Sequence, residues 1–138
     1  MKFTKVSYRN LEARQKEIYN FQKVAGLLAD YGFNCIKLSD DWKGADFLAC
    51  HTGGKTLKVQ LKARMTIDKK YKDKSLWVTF PEGGNWYLMK HADLVKMVQK
   101  HTKWLSSKSW RKAGGRYSSA RSNDALVDSI RKWMVGKV

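Results

Sequence analysis

The sequence predicts an α/β (α+β) protein in which a mixed central β-sheet is flanked by helices. Three observations support this class: a long segment with helical spacing near the start, a series of alternating strand-like segments, and two helical segments later on. This order is typical of helices packed against one sheet. The 138 residues suit a single domain, so we expect one unit over 1–138, with a core at about 10–100 and a basic loop and C-terminal helix at 101–138.

The first predicted element is an amphipathic helix. Asn10 is a plausible N-cap, apolar residues recur at helical spacing up to Tyr31, and Gly32 follows as a C-terminal stop. Residues 33–38 then predict a short strand, and the composition of residues 39–44 is typical of a turn.

A β-hairpin is predicted next. Residues 45–51 and 55–64 have strand patterns, and Gly53 and Gly54 make a tight connection between them. The second arm alternates regularly, which places four polar side chains on one face: Lys58, Gln60, Lys62 and Arg64.

The rest of the chain predicts a shorter series of elements. These are a basic, mobile stretch at 68–75, strands at 76–80 and 85–89, a helix at 92–100, an irregular stretch at 101–121, and a last helix that Ser122 or Asn123 caps and that runs to Met134.

The charge of the chain points to a polyanionic partner. Lys and Arg total 28 against 12 Asp and Glu, a formal net charge of +16. Such an imbalance costs self-repulsion, and nucleic acid compensates it best because each neutralised phosphate releases counterions. No apolar run is long enough to span a membrane and no secretory leader is recognisable, so we expect a cytoplasmic, nucleoid-associated protein without a membrane partner. Cys35 and Cys50 are expected to be free thiols.

Three side chains of the hairpin can converge on one place. Asp46 lies early in the first arm, and Gln60 and Lys62 share a face of the second. A carboxylate, an amide oxygen and an ammonium together can hold a hard divalent cation and place a positive charge beside a phosphate. The alternative is that Gln60 and Lys62 belong to the solvated face of an outer strand.

These residues carry a family resemblance. Residues 41–47 (DWKGADF) followed by residues 59–62 (VQLK) resemble the core motif of the PD-(D/E)XK nuclease superfamily, and its Holliday-junction-resolvase-like and homing-endonuclease-like branches in particular. The resemblance covers about residues 10–80. It implies a restriction-endonuclease-like core, in which a sheet of hairpins is backed by the preceding helix.

The resemblance also implies roles for individual residues. Asp46 would be the main ligand of Mg²⁺ or Mn²⁺, assisted by the side-chain oxygen of Gln60 and the backbone carbonyl of Leu61. Lys62 would orient or deprotonate the water and stabilise the charge of the transition state. Glu17 would be the helix carboxylate, preferred over Glu12, although it is equally an ordinary surface residue. Gln60 stands where the family usually has an acid, which leaves a binding-only descendant open.

A basic surface is predicted to contact DNA. No acidic residue occurs between Leu94 and Asn123, and Ser residues and aromatic rings are interleaved with the cations there. Trp104 and Trp110 either stack on unpaired bases or pack in the core, with the core slightly favoured. The predicted DNA-binding residues are Lys69, Lys70, Lys72, Lys103, Lys108, Arg111, Lys112, Arg116 and Arg121.

The sequence therefore predicts a Mg²⁺-dependent endonuclease that hydrolyses phosphodiester bonds of DNA, with branched DNA or a specific site as candidate substrates and a homodimer as the expected assembly. A non-catalytic nucleic-acid-binding module on the same fold is the alternative. The third hypothesis is a basic RNA-associated protein of unrelated fold, in which Asp46 and Gln60 would lie far apart in space.

Overall fold

The computed structural model describes residues 1–71, 75–112 and 115–137. Short 3-10 turns occur at Tyr8–Asn10, Lys69–Tyr71, Trp104–Ser106 and Arg131–Trp133. The helices are α1 (Ala13–Ala29), α2 (His91–His101), α3 (Lys108–Arg111) and α4 (Asp124–Ile130). The strands are β1 (Phe33–Trp42), β2 (Ala45–His51), β3 (Thr56–Leu61), β4 (Met65–Asp68), β5 (Trp77–Glu82), β6 (Asn85–Lys90), β7 (Arg116–Ser119) and β8 (Met134–Lys137).

Within the described residues, the strands form one large mixed sheet and one small sheet. The large sheet has six strands in the order β1-β2-β3-β5-β6-β8, and the small one pairs β4 with β7. Only the β3–β5 pair of this large sheet is parallel; its other neighbours run antiparallel. The predicted class, a mixed α/β sheet flanked by helices, is confirmed.

Two hydrophobic clusters cover opposite faces of the large sheet. On one face, Val24 and Leu28 of α1 pack against Phe47, Val59 and Trp86. On the other face, α2, α4 and the small sheet pack against the alternate residues of β5 and β6, and the buried members include Val78, Phe80, Leu94, Leu126 and Ile130. Because residues two apart on a strand share a face, Gln60 lies on the second face, beside its β5 partner Val78. None of the helices described is long and apolar enough to cross a membrane.

The start of α1 differs from the prediction. Asn10 belongs to a 3-10 turn, and Glu12 is the N-cap of a helix that begins at Ala13. The backbone N–H of Glu12 donates to the side-chain oxygen of Gln15 at 3.1 Å, so the polar residue three positions further on satisfies an N-terminal donor. The helix itself, and its end before Gly32, are as predicted.

The prediction of a turn over residues 39–44 was wrong. β1 continues through these residues to Trp42, which pairs with Ala45, and its register shifts between Lys37 and Trp42. Only Lys43 and Gly44 form the turn, with positive φ angles of 55° and 90°. Two consecutive residues of positive φ suit a tight hairpin, and pairing with β2 overrides the turn preference of the acidic residues before them.

The strand predicted over residues 55–64 was too long, and the mobile stretch predicted at 68–75 was partly wrong. β3 ends at Leu61, and the chain then leaves the large sheet for the small one as β4. Asp68 is the last residue of β4 and only 3% exposed, and a 3-10 turn follows at Lys69–Tyr71. Residues 72–74 lie outside the described part.

The C-terminal third is more regular than predicted. The stretch 101–121 contains α3 and β7 rather than only irregular chain. The last helix ends at Ile130, and residues from Met134 onward form β8, which pairs with β6 at the edge of the sheet. Neither β7 nor β8 has a local signal strong enough to predict it, because each is stabilised by a partner strand distant in sequence.

Candidate functional site

The hairpin of β2 and β3 brings Asp46 and Gln60 face to face. Phe47 pairs with Val59, so the next position along the antiparallel register sets Asp46 opposite Gln60. β3 is an inner strand between β2 and β5, and Gln60 is only 5% exposed. The alternative of a solvated outer strand is therefore wrong for Gln60.

The carboxylate of Asp46 is fixed by the backbone at the end of β3. The N–H of Leu61 donates to Oδ2 of Asp46 at 2.7 Å. Burial raises the pKa of Asp46, while this hydrogen bond and the ammonium of Lys62 lower it. Glu17 and Asp41 raise it further through charge repulsion, because all three carboxylates share one neighbourhood.

The side-chain oxygen of Gln60 is a buried acceptor. Among the residues that the structure describes, Oε1 of Gln60 has no hydrogen-bond partner. An unpaired buried acceptor costs free energy, so such an atom indicates a missing donor or cation. Its place opposite the Asp46 carboxylate, with one anionic and one neutral oxygen, fits a hard divalent cation.

Lys62 lies in the same electrostatic neighbourhood. Its backbone N–H donates to the carbonyl of Thr79 at 2.9 Å, which holds the residue against β5. Partial burial lowers the pKa of Lys62, and the charges of Arg116 and Lys70 lower it further, whereas Asp46 and Asp68 raise it. The ammonium thus lies within the electrostatic influence of two carboxylates and of two cations of the basic surface.

Glu17 lines the same cavity as Asp46. This cavity has a volume of about 260 Å³, and Glu17 also forms an ion pair with Lys37 across 3.7 Å. The structure thus places Glu17 and Asp46 at one cavity and sets Gln60 opposite Asp46 in the β2–β3 register, whereas Gln60 and Lys62 are not part of the cavity lining. Glu12 remains outside the cavity lining. In residues 1–71, 75–112 and 115–137, no three His, Cys, Asp or Glu side chains are close enough together to hold a metal by themselves.

Sequence reasoning missed two acidic residues of this cavity. Asp40 and Asp41 line it together with Asp46. Four of the 12 carboxylates of a strongly basic chain are thus gathered at one cavity. Their position shortly before the Lys43–Gly44 turn was the available signal. The chain reverses at this turn and reaches Asp46 two residues after Gly44, on the strand that pairs with β1.

A buried cluster behind Lys62 was also missed. Asp68 accepts from Arg116 at 3.3 Å and from the N–H of Lys70 at 3.3 Å, and its own N–H donates to Nε2 of His91 at 3.0 Å. Burial lowers the pKa of His91 while the Asp68 charge raises it. This cluster fixes the basic turn after β4 beside Lys62.

The predicted DNA-binding residues that the structure describes are all exposed. Two hydrogen bonds join the turn after β4 to the chain around α3. Nζ of Lys69 donates to the carbonyl of Arg111 at 3.5 Å, and the N–H of Lys69 donates to the carbonyl of Gly115 at 2.7 Å. Arg121 lies elsewhere, beside the turn between β5 and β6. Lys72 lies outside the described residues. The exposed set is Lys69, Lys70, Lys103, Lys108, Arg111, Lys112, Arg116 and Arg121.

The aromatic rings of this region belong to the core. Trp110 is 5% exposed within the cluster of α2 and α4, and Trp104 and Tyr117 pack against that cluster. Packing in the core is confirmed for Trp110, whereas Trp104 and Tyr117 are half-buried and pack against that core.

Comparison with solved structures finds a weak likeness. The chain is similar to Hjc, a Holliday junction resolvase of Archaeoglobus fulgidus, with 13% sequence identity and a TM-score of 0.37 over 55% of this chain and 76% of that one. No protein-family model and no curated protein sequence matches the chain. A likeness of this size does not establish the family.

Asp46→Asn should make the metal-free protein more stable at neutral pH. A carboxyl group whose pKa is raised by folding stabilises the native state only at low pH, and this contribution is lost as the pH rises through the folded-state value. Asparagine keeps an oxygen for the Leu61 N–H without burying a charge. Urea unfolding with EDTA should give a higher free energy of unfolding for the variant at about pH 8, and a smaller difference at about pH 5. A variant that is less stable at both pH values would contradict this electrostatic description.

Proposed function

We propose that the chain is a metal-dependent endonuclease that hydrolyses phosphodiester bonds of DNA. One observation carries the proposal: the Asp46 carboxylate, held by the Leu61 N–H, lies across the β2–β3 pair from Gln60, whose buried side-chain oxygen has no hydrogen-bond partner among the residues that the structure describes. The ammonium of Lys62 lies in the field of the same carboxylate, next to the basic surface. The negative carboxylate of Asp46 and the positive ammonium of Lys62 thus lie in one neighbourhood. Such an arrangement suits a site that binds both a cation and a phosphate.

The motif and the geometry together support membership of the PD-(D/E)XK superfamily. The DWKGADF segment falls on β1 and β2, and the VQLK segment covers the end of β3 and the residue that follows it, so Asp46 and Gln60 lie on neighbouring strands and Lys62 comes directly after the second. α1 covers the opposite face of these strands and contributes Glu17 to the cavity. A chance occurrence of the motif would carry no such arrangement.

In this mechanism Asp46 and Gln60, with the Leu61 carbonyl beside them, bind Mg²⁺ or Mn²⁺. A bound divalent cation would supply Lewis acidity to the phosphate and a more acidic water. Lys62 stabilises the negative charge that develops on the attacked phosphate, and its lowered pKa suits it to proton transfer as well. Asp46, fixed by its backbone hydrogen bond, needs no reorganisation on metal binding.

The rest of the surface supports DNA as the substrate. The net charge of +16 favours a polyanion, and the exposed cations that follow β4 and surround α3 border Lys62 through Arg116 and Lys70. We include branched DNA among the substrates of this proposal. Cutting two strands takes two such sites, so a homodimer is part of it.

Lys62→Ala should lower the rate of DNA cutting by about 10²–10³-fold or more, because it removes charge stabilisation in the transition state. Nicking of supercoiled plasmid and of a four-way junction in Mg²⁺ or Mn²⁺ measures the rate, and electrophoretic shifts in EDTA measure binding. Binding should fall by much less than cutting.

Lys55→Ala is the matched control, since Lys55 is an exposed lysine of the same hairpin beyond the catalytic end. It removes one charge and should leave the cutting rate within about twofold. Equal cutting by the two variants would remove Lys62 from the mechanism.

A DNA-binding module without catalysis is the second candidate, and the ligand set favours it. Gln60 is neutral where a second acid would strengthen cation binding, and the described part of the chain offers no three-residue group of acidic, imidazole or thiol ligands. Such a module would bind DNA with strong salt dependence and cut it with no metal.

Gln60→Glu separates the two candidates. A second anionic oxygen opposite Asp46 should lower the dissociation constant for Mn²⁺ by about an order of magnitude, because cation affinity rises with the charge of the ligands. Isothermal titration with MnCl₂ measures it for the wild type, Gln60→Glu and Asp46→Asn. Measurable wild-type binding that is lost in Asp46→Asn supports the nuclease. No binding by the wild type together with restored binding in Gln60→Glu supports the binding module.

A further inference from the structure

We propose that a second cavity, next to the Asp46 cavity, binds an unpaired nucleotide of the DNA strand that is cut. The inference rests on the proposed function for the identity of the substrate as DNA, and it adds a preference for DNA with unpaired bases. It concerns a space that the β1–β2 turn, Lys58 of β3 and Tyr71 border together, which we call the Trp42 cavity after the exposed ring beside it.

The Trp42 cavity has the size and the position for such a role. Its volume is about 510 Å³, within the range of small-molecule sites. Asp41 lines both this cavity and the one that contains Asp46, so the two spaces are neighbours. The residues that line the Trp42 cavity are Asp41, Lys43, Gly44, Lys58, Tyr71, Ser75 and Leu76.

An exposed tryptophan lies next to two lysines that line this cavity, although it is not itself part of the lining. Trp42 is 49% exposed at the tip of the β1–β2 hairpin, whereas the tryptophans at positions 86 and 110 are buried. The ammonium groups of Lys43 and Lys58 lie 5.8 Å from its ring centre, and both lysines line the cavity. A solvated ring between two cations suits a base that stacks while its flanking phosphates meet the ammonium groups.

The opposite wall of the cavity is rigid. A Cβ atom at Gly44 would lie 2.6 Å from Cε1 of Tyr71, so the turn and this ring are in close contact. On its other side Tyr71 meets the buried His91 edge to face, with ring centres 6.2 Å apart and an interplanar angle of 89°. Tyr71 is therefore held in place before any ligand arrives, which reduces the entropy cost of binding.

The chemistry of the walls favours an unpaired nucleotide over duplex DNA. Rings at Trp42 and Tyr71, two ammonium groups and the hydroxyl group of Ser75 match a base, its flanking phosphates and a sugar. A base inside a duplex is already stacked and paired, so its faces cannot reach these rings. Lys58 and Gln60 are two residues apart on β3, which places the cavity about 6.6 Å along the strand from the metal ligands.

Trp42→Ala tests the inference by binding, without reference to cutting. The probes are a duplex with a short single-stranded gap that contains 2-aminopurine and a fully paired duplex of the same length, both in EDTA. The wild type should bind the gapped DNA more tightly and change the fluorescence of the unpaired 2-aminopurine. Trp42→Ala should lower affinity for the gapped DNA by about tenfold and remove the fluorescence change, with affinity for the paired duplex within about twofold.

Two further variants control the experiment. Tyr31→Ala removes an aromatic ring of similar exposure, 53%, at the end of α1 and outside this cavity, and it should leave both affinities unchanged. Trp42→Phe keeps a stacking ring and should retain most of the preference. Equal losses on gapped and paired DNA, or no preference in the wild type, would overturn the proposal, as would tighter binding of a gapped RNA of the same sequence.

The outcome is independent of the catalytic proposal. Lys62→Ala should keep the preference for gapped DNA even though it no longer cuts. A wild type that prefers gapped DNA but cuts nothing in Mg²⁺ or Mn²⁺ would contradict the endonuclease proposal alone. A wild type that cuts but binds gapped and paired DNA equally would contradict the nucleotide cavity alone.

Discussion

The hydrogen bond from the Leu61 N–H to the Asp46 carboxylate is the interaction on which the site depends. β3 pairs with β2 on one side and with β5 on the other, and the β2–β3 ladder has ended where Leu61 is reached. A backbone donor at this place needs a partner, and the carboxylate supplies it at 2.7 Å. The same bond fixes Asp46 opposite Gln60, so strand pairing and site geometry have one cause.

The distribution of charge explains why this place can be a site at all. In a chain of net charge +16, four carboxylates at one cavity form a local region of opposite sign. Burial raises the pKa of Asp46, and repulsion from Glu17 and Asp41 raises it further, which is a cost that the metal-free protein bears. A divalent cation would relieve this cost, and the basic surface beside Lys62 would hold the phosphate backbone nearby.

The local parts of the fold were predictable from the sequence, and the non-local parts were not. α1 and the β2–β3 hairpin follow from helical spacing, strict alternation and a Gly-Gly turn, which are properties of neighbouring residues. The small sheet is different: β4 and β7 pair Met65 with Ser119 across more than fifty positions, and neither strand has a clear pattern of its own. β8 likewise exists because the exposed edge of β6 offers a partner.

The candidate site also divides into residues that local sequence patterns predict and residues that depend on distant contacts. Asp46 and Gln60 could be predicted to be neighbours because the hairpin that pairs them is local, and the resemblance pointed to the same residues and to Lys62. Asp68 was hidden in a stretch that looked mobile, because its burial depends on His91 and Arg116, which are distant in sequence. Trp42 was hidden in an apparent turn, and only the extension of β1 reveals it as an exposed ring at a hairpin tip.

The central claim is that Asp46 and Gln60 share one divalent cation. Anomalous scattering from crystals grown with Mn²⁺ tests it most directly, because the signal locates the metal independently of activity. We expect a peak bound by the Asp46 carboxylate and the side-chain oxygen of Gln60. A peak held by Asp40 and Asp41 away from Gln60, or no peak at this hairpin, would contradict the account.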